Sequence, residues 1–165
     1  MKKINIIFAA FTIVMIVSLG ACKKNNLDPG GTATQALANE WWIKFDNGTG
    51  PFGPGYFNLS TYNTAANIPT EMYFDDMNNA KSFWDVKGKV NVSGMTFSGT
   101  NIANLDYPST FTITEGKVMP NAAHAPGSKA VTDSIYFKIS FSDDSPVTTY
   151  TVAGYARTRF PEDDH

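Results

Sequence analysis

The chain has one cysteine and two histidines among its 165 residues. A single thiol excludes an internal disulfide and any metal site built from several thiolates. The histidines are His124, in the loop-like run Asn-Ala-Ala-His-Ala-Pro-Gly, and His165, the last residue. They leave little for acid–base chemistry at neutral pH. Charge is sparse as well, with 13 basic against 15 acidic residues and no basic cluster. A nucleic-acid partner needs a positive face, so none is expected. No segment sustains a helical period, and there is no internal repeat beyond a strand-like rhythm.

The one long apolar run stands at the N-terminus. Lys2 and Lys3 precede Ile4 to Val17, interrupted by Asn5 and Thr12, and Ser18, Leu19, Gly20 and Ala21 lead into Cys22. Charge, apolar core and small residues are the order of a secretion signal. The run falls short of the roughly 20 residues that a spanning helix needs. Leu19-Gly20-Ala21-Cys22 resembles the lipobox of bacterial lipoproteins. That resemblance implies a diacylglycerol on the Cys22 thiol, cleavage just before it and acylation of the new amine. At roughly 0.8 kcal/mol per buried CH₂, two or three chains make a stable anchor. The expected organisation is a signal peptide at 1–21, a lipidated cysteine and flexible tether at 22–37, and a β-barrel domain at 38–165. An alternative is that Thr34 to Ala38 packs as a short helical turn against the barrel. Loss of residues 1–21 leaves 11 basic and 15 acidic residues, a net charge of −4. Acidic residues just after the lipidated cysteine accompany surface export in Bacteroidota, and Lys23-Lys24-Asn25-Asn26 lacks them. The expected place is therefore the cell envelope, on the periplasmic side of the outer membrane.

The remainder is rich in Asn, Thr, Ser, Gly and aromatics, which favour strands and turns. Trp41 to Phe45 reads as a first strand ended by Asp46-Asn47-Gly48, and Pro51 to Gly55 prolongs the break. Tyr56–Tyr62 and Glu71–Asp75 follow. Phe83–Val92 is the clearest strand, with Trp84, Val86, Gly88, Val90 and Val92 on one face and Asp85, Lys87, Lys89 and Asn91 on the other. Ser93-Gly94 turns the chain into Met95–Ile102. Phe111 and Ile113 lie on another strand, which Glu115-Gly116 turns back through Lys117 to Met119. Pro120–Lys129 reads as a loop. Ser134–Phe141 alternates again, Asp143 to Pro146 makes a turn, and Thr149–Ala156 is the last strand. About eight antiparallel strands in a meander close as a barrel or fold as a β-sandwich. Closure removes both exposed edges and favours the barrel.

Ala38-Asn39-Glu40-Trp41-Trp42, Leu59 to Ala65, Asp133 to Phe137 and Ala153 to Thr158 resemble the pattern of the Bacteroidota "lipid-binding putative hydrolase" lipoproteins. The resemblance runs over nearly all of 38–165. It implies a small lipocalin-like barrel and a lipid ligand, and it carries no catalytic motif. In lipocalins generally, a first-strand tryptophan packs on a last-strand arginine to close the floor. Trp41 or Trp42 against Arg157 or Arg159 is the corresponding pair here, and such a cation–π contact contributes about 1 kcal/mol to structure.

No Gly-x-Ser-x-Gly elbow is present, and a serine nucleophile would depend on a distant contact with His124. Glu40, Glu71, Asp75, Asp76 and Asp85 are the strand-borne carboxylates that paired acid–base work would need. Asp75-Asp76, Asp143-Asp144 and Glu162 to His165 lack any calcium-loop spacing, so no metal or cofactor is expected. The last four residues read as a solvated, frayed end. The aromatics serve as core or as an apolar pocket lined by Phe45, Phe57, Phe74, Trp84, Phe97, Phe111, Phe137 and Tyr150. The first functional expectation is a non-catalytic, membrane-anchored barrel that holds a lipid or other apolar small molecule. The second is a carbohydrate-associated or structural accessory lipoprotein that uses Trp41, Trp42, Tyr56 or Trp84 as stacking platforms. A hydrolase with His124 and carboxylates in one cleft is the third. An open interior supports the first, and a filled core with an exposed aromatic strip supports the second.

Overall fold

A computed structural model describes residues 30–78, 82 and 84–165, with the backbone alone at 52–54. The expected signal peptide, Cys22 and the first part of the expected tether lie outside the described residues. Gly31–His165 forms one compact unit. A 3-10 turn at Gln35–Leu37 leads into β1 (Asn39–Asp46), β2 (Pro51–Asn63), β3 (Glu71–Asp75), β4 (Lys87–Ser93), β5 (Thr96–Ala103), β6 (Thr110–His124), β7 (Val131–Phe141) and β8 (Thr149–Ala156). Each strand pairs antiparallel with the next, and β1 pairs with β8 from Trp41–Ala156 to Asp46–Thr151. The result is a closed up-and-down barrel, not a sandwich. Every strand of the ring lies after Gly31, so the unit has all the partners it needs to fold.

Period-two alternation sets the wall. In β4, Gly88, Val90 and Val92 are buried while Lys89, Asn91 and Ser93 are exposed. In β7, Ile135, Phe137, Ile139 and Phe141 are buried in the same way. Inward residues from all eight strands meet in one core. In its middle the Phe74 ring lies 5.1 Å from Phe137, 6.1 Å from Phe111 and 6.4 Å from Phe97. Leu59, Met72, Phe74, Ile135, Phe137, Ile139 and Val152 have no accessible surface. No water-sized void therefore lies against them, and the middle of the barrel is filled. Each such side chain contributes roughly 1.5–3 kcal/mol by leaving water.

The structure corrects four strand boundaries. Pro51–Gly55 is not a break but the first part of β2, with Pro51 opposite Asp46. Residues 84–86 are not strand, and Asp85 has φ 47°. Glu115-Gly116 is a bulge inside β6 and not a hairpin, because the register shifts there against both β5 and β7. A Cβ on Gly116 would sit 2.3 Å from the Phe97 carbonyl oxygen, so only glycine lets β5 come this close. Pro120–His124 extends β6 past a second register shift, and the connection to β7 is confined to 125–130.

The end where β1 begins is closed. Leu37 is buried in the core, and its carbonyl accepts from Thr61 Oγ1 at 2.5 Å. Thr61 Oγ1 in turn accepts from Trp41 Nε1 at 2.8 Å. Thr34–Leu37 is thus a packed turn and not the end of a free tether. The C-terminal residues cover the outer wall beside it. Asp163 has no exposed surface and accepts from Gly127 N, Ser128 N, Ser128 Oγ and Thr158 Oγ1 at 2.6–2.9 Å. His165 stacks on Tyr56 with ring centroids 4.0 Å apart and stands edge-on to Trp42 at 5.5 Å. The acidic end is a fastened strap, and the expectation of a frayed tail is overturned.

Candidate functional site

The opposite end is formed by the β1–β2, β3–β4, β5–β6 and β7–β8 connections. A cleft of about 290 Å³ opens there, lined by Trp84, Asp85, Tyr107, Ser109, Phe141, Asp143, Asp144 and Tyr150. It has the space of about ten water molecules.

One carboxylate positions its tryptophan. Asp76 is 2% exposed and accepts from the backbone N–H of Trp84 at 3.0 Å, Val86 at 3.2 Å and Asn78 at 3.3 Å. Its own N–H donates to the Val86 carbonyl at 3.0 Å, and Ser82 Oγ donates to its carbonyl at 2.6 Å. The β3–β4 connection thus folds around Asp76 and turns Trp84 over the barrel end. Asn104 ties the β5–β6 connection to the same segment. Its Oδ1 accepts from Lys87 N at 3.0 Å and its Nδ2 donates to the Asp85 carbonyl at 3.0 Å. Tyr107 and Leu105 are thereby brought to the rim.

The rings form one layer. Trp84 lies 5.5 Å from Phe141 and 5.8 Å from Tyr150, which are 6.3 Å from each other. Beneath them Phe45 lies 4.6 Å from Trp84, 5.1 Å from Phe57 and 5.9 Å from Tyr150. These are attractive ring geometries and hold the layer together. Burial pushes the Tyr150 hydroxyl above its usual pKa, and the nearby Asp144 charge, to which it hydrogen-bonds, adds to the shift. It is therefore a donor at neutral pH. Among the described residues, Lys87 is a cation next to this segment, and it is engaged elsewhere. Its Nζ is 2.9 Å from Asp75 Oδ2, which also accepts from Tyr62. The hydrogen bond to Asp75 raises the Lys87 pKa. Burial alone would raise the Asp75 pKa, but Tyr62, Lys87 and the Met77 N–H outweigh it and lower the value.

The eight aromatics read from the sequence as pocket lining divide by depth. Phe74, Phe97, Phe111 and Phe137 are packed in the filled middle, away from this cleft; Phe97 also borders a hollow in the wall beside the Glu115-Gly116 bulge. Phe45 and Phe57 support the upper layer. Trp84 and Tyr150 line the cleft itself, with Phe141, Tyr107 and three aspartates that sequence reasoning left out. Phe141 carried a signal, since it continues the buried face of β7. Tyr107, by contrast, lies in an irregular connection with no period to read.

At the floor, the Arg157 guanidinium carbon stands 5.7 Å from the Trp42 ring centroid. Arg157 also pairs with Asp164 at 2.7 Å and with Glu40 at 3.0 Å, while Arg159 reaches Glu40 at 3.2 Å. Trp41 faces inward and Trp42 outward, and both are buried. Neither offers a free face for stacking on a sugar. Tyr56 is covered by His165. His124 is exposed at the far end of β6, its Nδ1 3.3 Å from the Lys129 carbonyl, and so stands at the opposite end of the barrel from the cleft carboxylates. Among the described residues, no three His, Cys, Asp or Glu side chains are grouped to hold a metal.

Residues 26–161 match the family described as "Lipid-binding putative hydrolase". The chain belongs to that family. The lipid-binding half of that description agrees with a small barrel that carries an aromatic cleft. No curated protein is similar enough to count as a relative. Among the described residues, no helix is long and apolar enough to cross a membrane.

Proposed function

We propose that this member of the lipid-binding family seats an amphiphilic lipid at the mouth of its barrel, without catalysis, while a lipid on Cys22 anchors it on the periplasmic side of the outer membrane. The observation that carries the reading is the cleft of Trp84, Phe141, Tyr150 and Tyr107 at the end of the barrel opposite Leu37. Leu105 and Val147, 60% and 66% exposed, extend the apolar surface along the β5–β6 and β7–β8 connections. Apolar ligand area buried there contributes roughly 25 cal/mol per Å². The placement of His124 and His165 toward the floor supports binding over hydrolysis. The signal order and Leu19-Gly20-Ala21-Cys22 support the anchor.

The test is native mass spectrometry of residues 26–165, exported without the lipid and purified free of detergent. An amphiphile-sized adduct, released by organic extraction and absent from Trp84→Ala, is the expected result. A bare mass that stays bare after incubation with a lipid extract would overturn the reading. The anchor is checked separately. Fatty-acid labelling of the full chain should vanish in Cys22→Ala.

A further inference from the structure

The described lining of the cleft is not electrically neutral. Among the described residues, Asp85, Asp143 and Asp144 line it and no Lys, Arg or His does. Among the described residues, none of the three carboxylates forms an ion pair, whereas Asp75, Asp164, Glu40, Glu71 and Glu115 all do. The Tyr150 hydroxyl bonds to the Asp144 carboxylate, yet the Asp144 Oδ2 oxygen is shielded from solvent and has no hydrogen-bond partner of its own among the described residues. A buried carboxylate oxygen without a donor is costly, and a bound cation or N–H removes that cost. The other wall is aromatic, and ring faces attract cations, most strongly when the site is partly desolvated. Lys87 does not offset the charge, because Asp75 holds it.

We infer that the amphiphile bound at the mouth carries a positively charged group, an amine or a quaternary ammonium, seated between the aspartates and the rings of Trp84, Tyr107, Phe141 and Tyr150. The inference rests on the reading of the mouth as a lipid site and names the class of lipid. An anionic head would meet three like charges. Among the described residues, a metal ion lacks a grouped set of ligands.

Residues 26–165 would be titrated calorimetrically with three probes of one chain length, below micelle formation: dodecyltrimethylammonium, dodecyl sulfate and monododecanoylglycerol. The ammonium probe should bind about tenfold or more tighter than the other two, an advantage of about 1.4 kcal/mol. High salt and the triple variant Asp85→Asn, Asp143→Asn, Asp144→Asn should both erase that advantage. The triple variant's melting curve and its binding of the neutral probe report that its fold is intact. Equal affinity for all three heads, or preference for the sulfate, overturns the inference and leaves the lipid-site reading standing. An ammonium preference that persists in the triple variant also overturns it. Failure of all three probes sinks both.

Discussion

Single side chains carry much of this molecule's order, and two of them make sharp predictions. Thr61 Oγ1 joins Trp41 Nε1 to the Leu37 carbonyl at the floor. Thr61→Val keeps the shape but leaves an indole N–H and a carbonyl unpaired in the core. Urea denaturation should show a loss of about 1–3 kcal/mol. Asp163 sets a pH dependence. Burial alone would raise its pKa, but hydrogen bonds from Ser128, Thr158 and the Ser128 and Gly127 backbone outweigh this and hold it down to about 2. An unfolded aspartate titrates near ~3.9. The folded value is the lower one, so the stabilisation is full above about pH 4 and fades as the pH falls towards about 2. Thermal melts should therefore show wild type above Asp163→Asn at neutral pH, with the gap closing across that acid window. None of this was legible in Pro-Glu-Asp-Asp-His as written. A carboxylate's partners at 127–128 lie 35 residues away, and no local pattern announces them.

At the scale of elements, the sequence was readable wherever one face is wet and the other dry. β7 and most of β4 follow directly from alternation, and so does the closed meander. The errors fall where local chemistry and tertiary pairing disagree. Glu115-Gly116 and Pro51–Gly55 carry turn residues, yet neighbouring strands on both sides impose pairing on the first, and β1 imposes it on the second. At Gly116 and Gly154 the glycine marks close backbone approach. A Cβ on Gly154 would lie 2.4 Å from the Trp42 carbonyl oxygen, in the seam where β8 meets β1. Gly154→Ala should force that seam apart and cost about 1–3 kcal/mol, read as a lower denaturation midpoint. The cleft was half legible. Its strand-borne rings follow from periodicity, but Tyr107 and the aspartates belong to connections fixed by Asp76 and Asn104.

Across the whole molecule the two aromatic layers should separate stability from binding. Phe74→Ala empties the packed middle and should cost about 3–5 kcal/mol in urea denaturation. It should leave the affinity of the surviving folded fraction for a dodecyl probe near wild type. Tyr150→Phe removes the hydroxyl beside Asp144 and keeps the ring, so it should leave the fold intact. Calorimetry should find its binding of the ammonium probe altered and the neutral probe unchanged. An equal effect of both substitutions on affinity would mean that ligand enters the middle of the barrel.

The packed middle has one more consequence. The cleft is a recess that stops at the packed middle, and its roughly ten-water volume is far smaller than a two-chained membrane lipid, whose tails span half of a ~30 Å hydrocarbon layer. Whatever part of such a molecule the recess grips, the rest stays outside. A barrel of this kind displays its cargo more than it encapsulates it. A recipient could then take hold of the protruding part before the grip is released, and hand-over would need no free lipid in water.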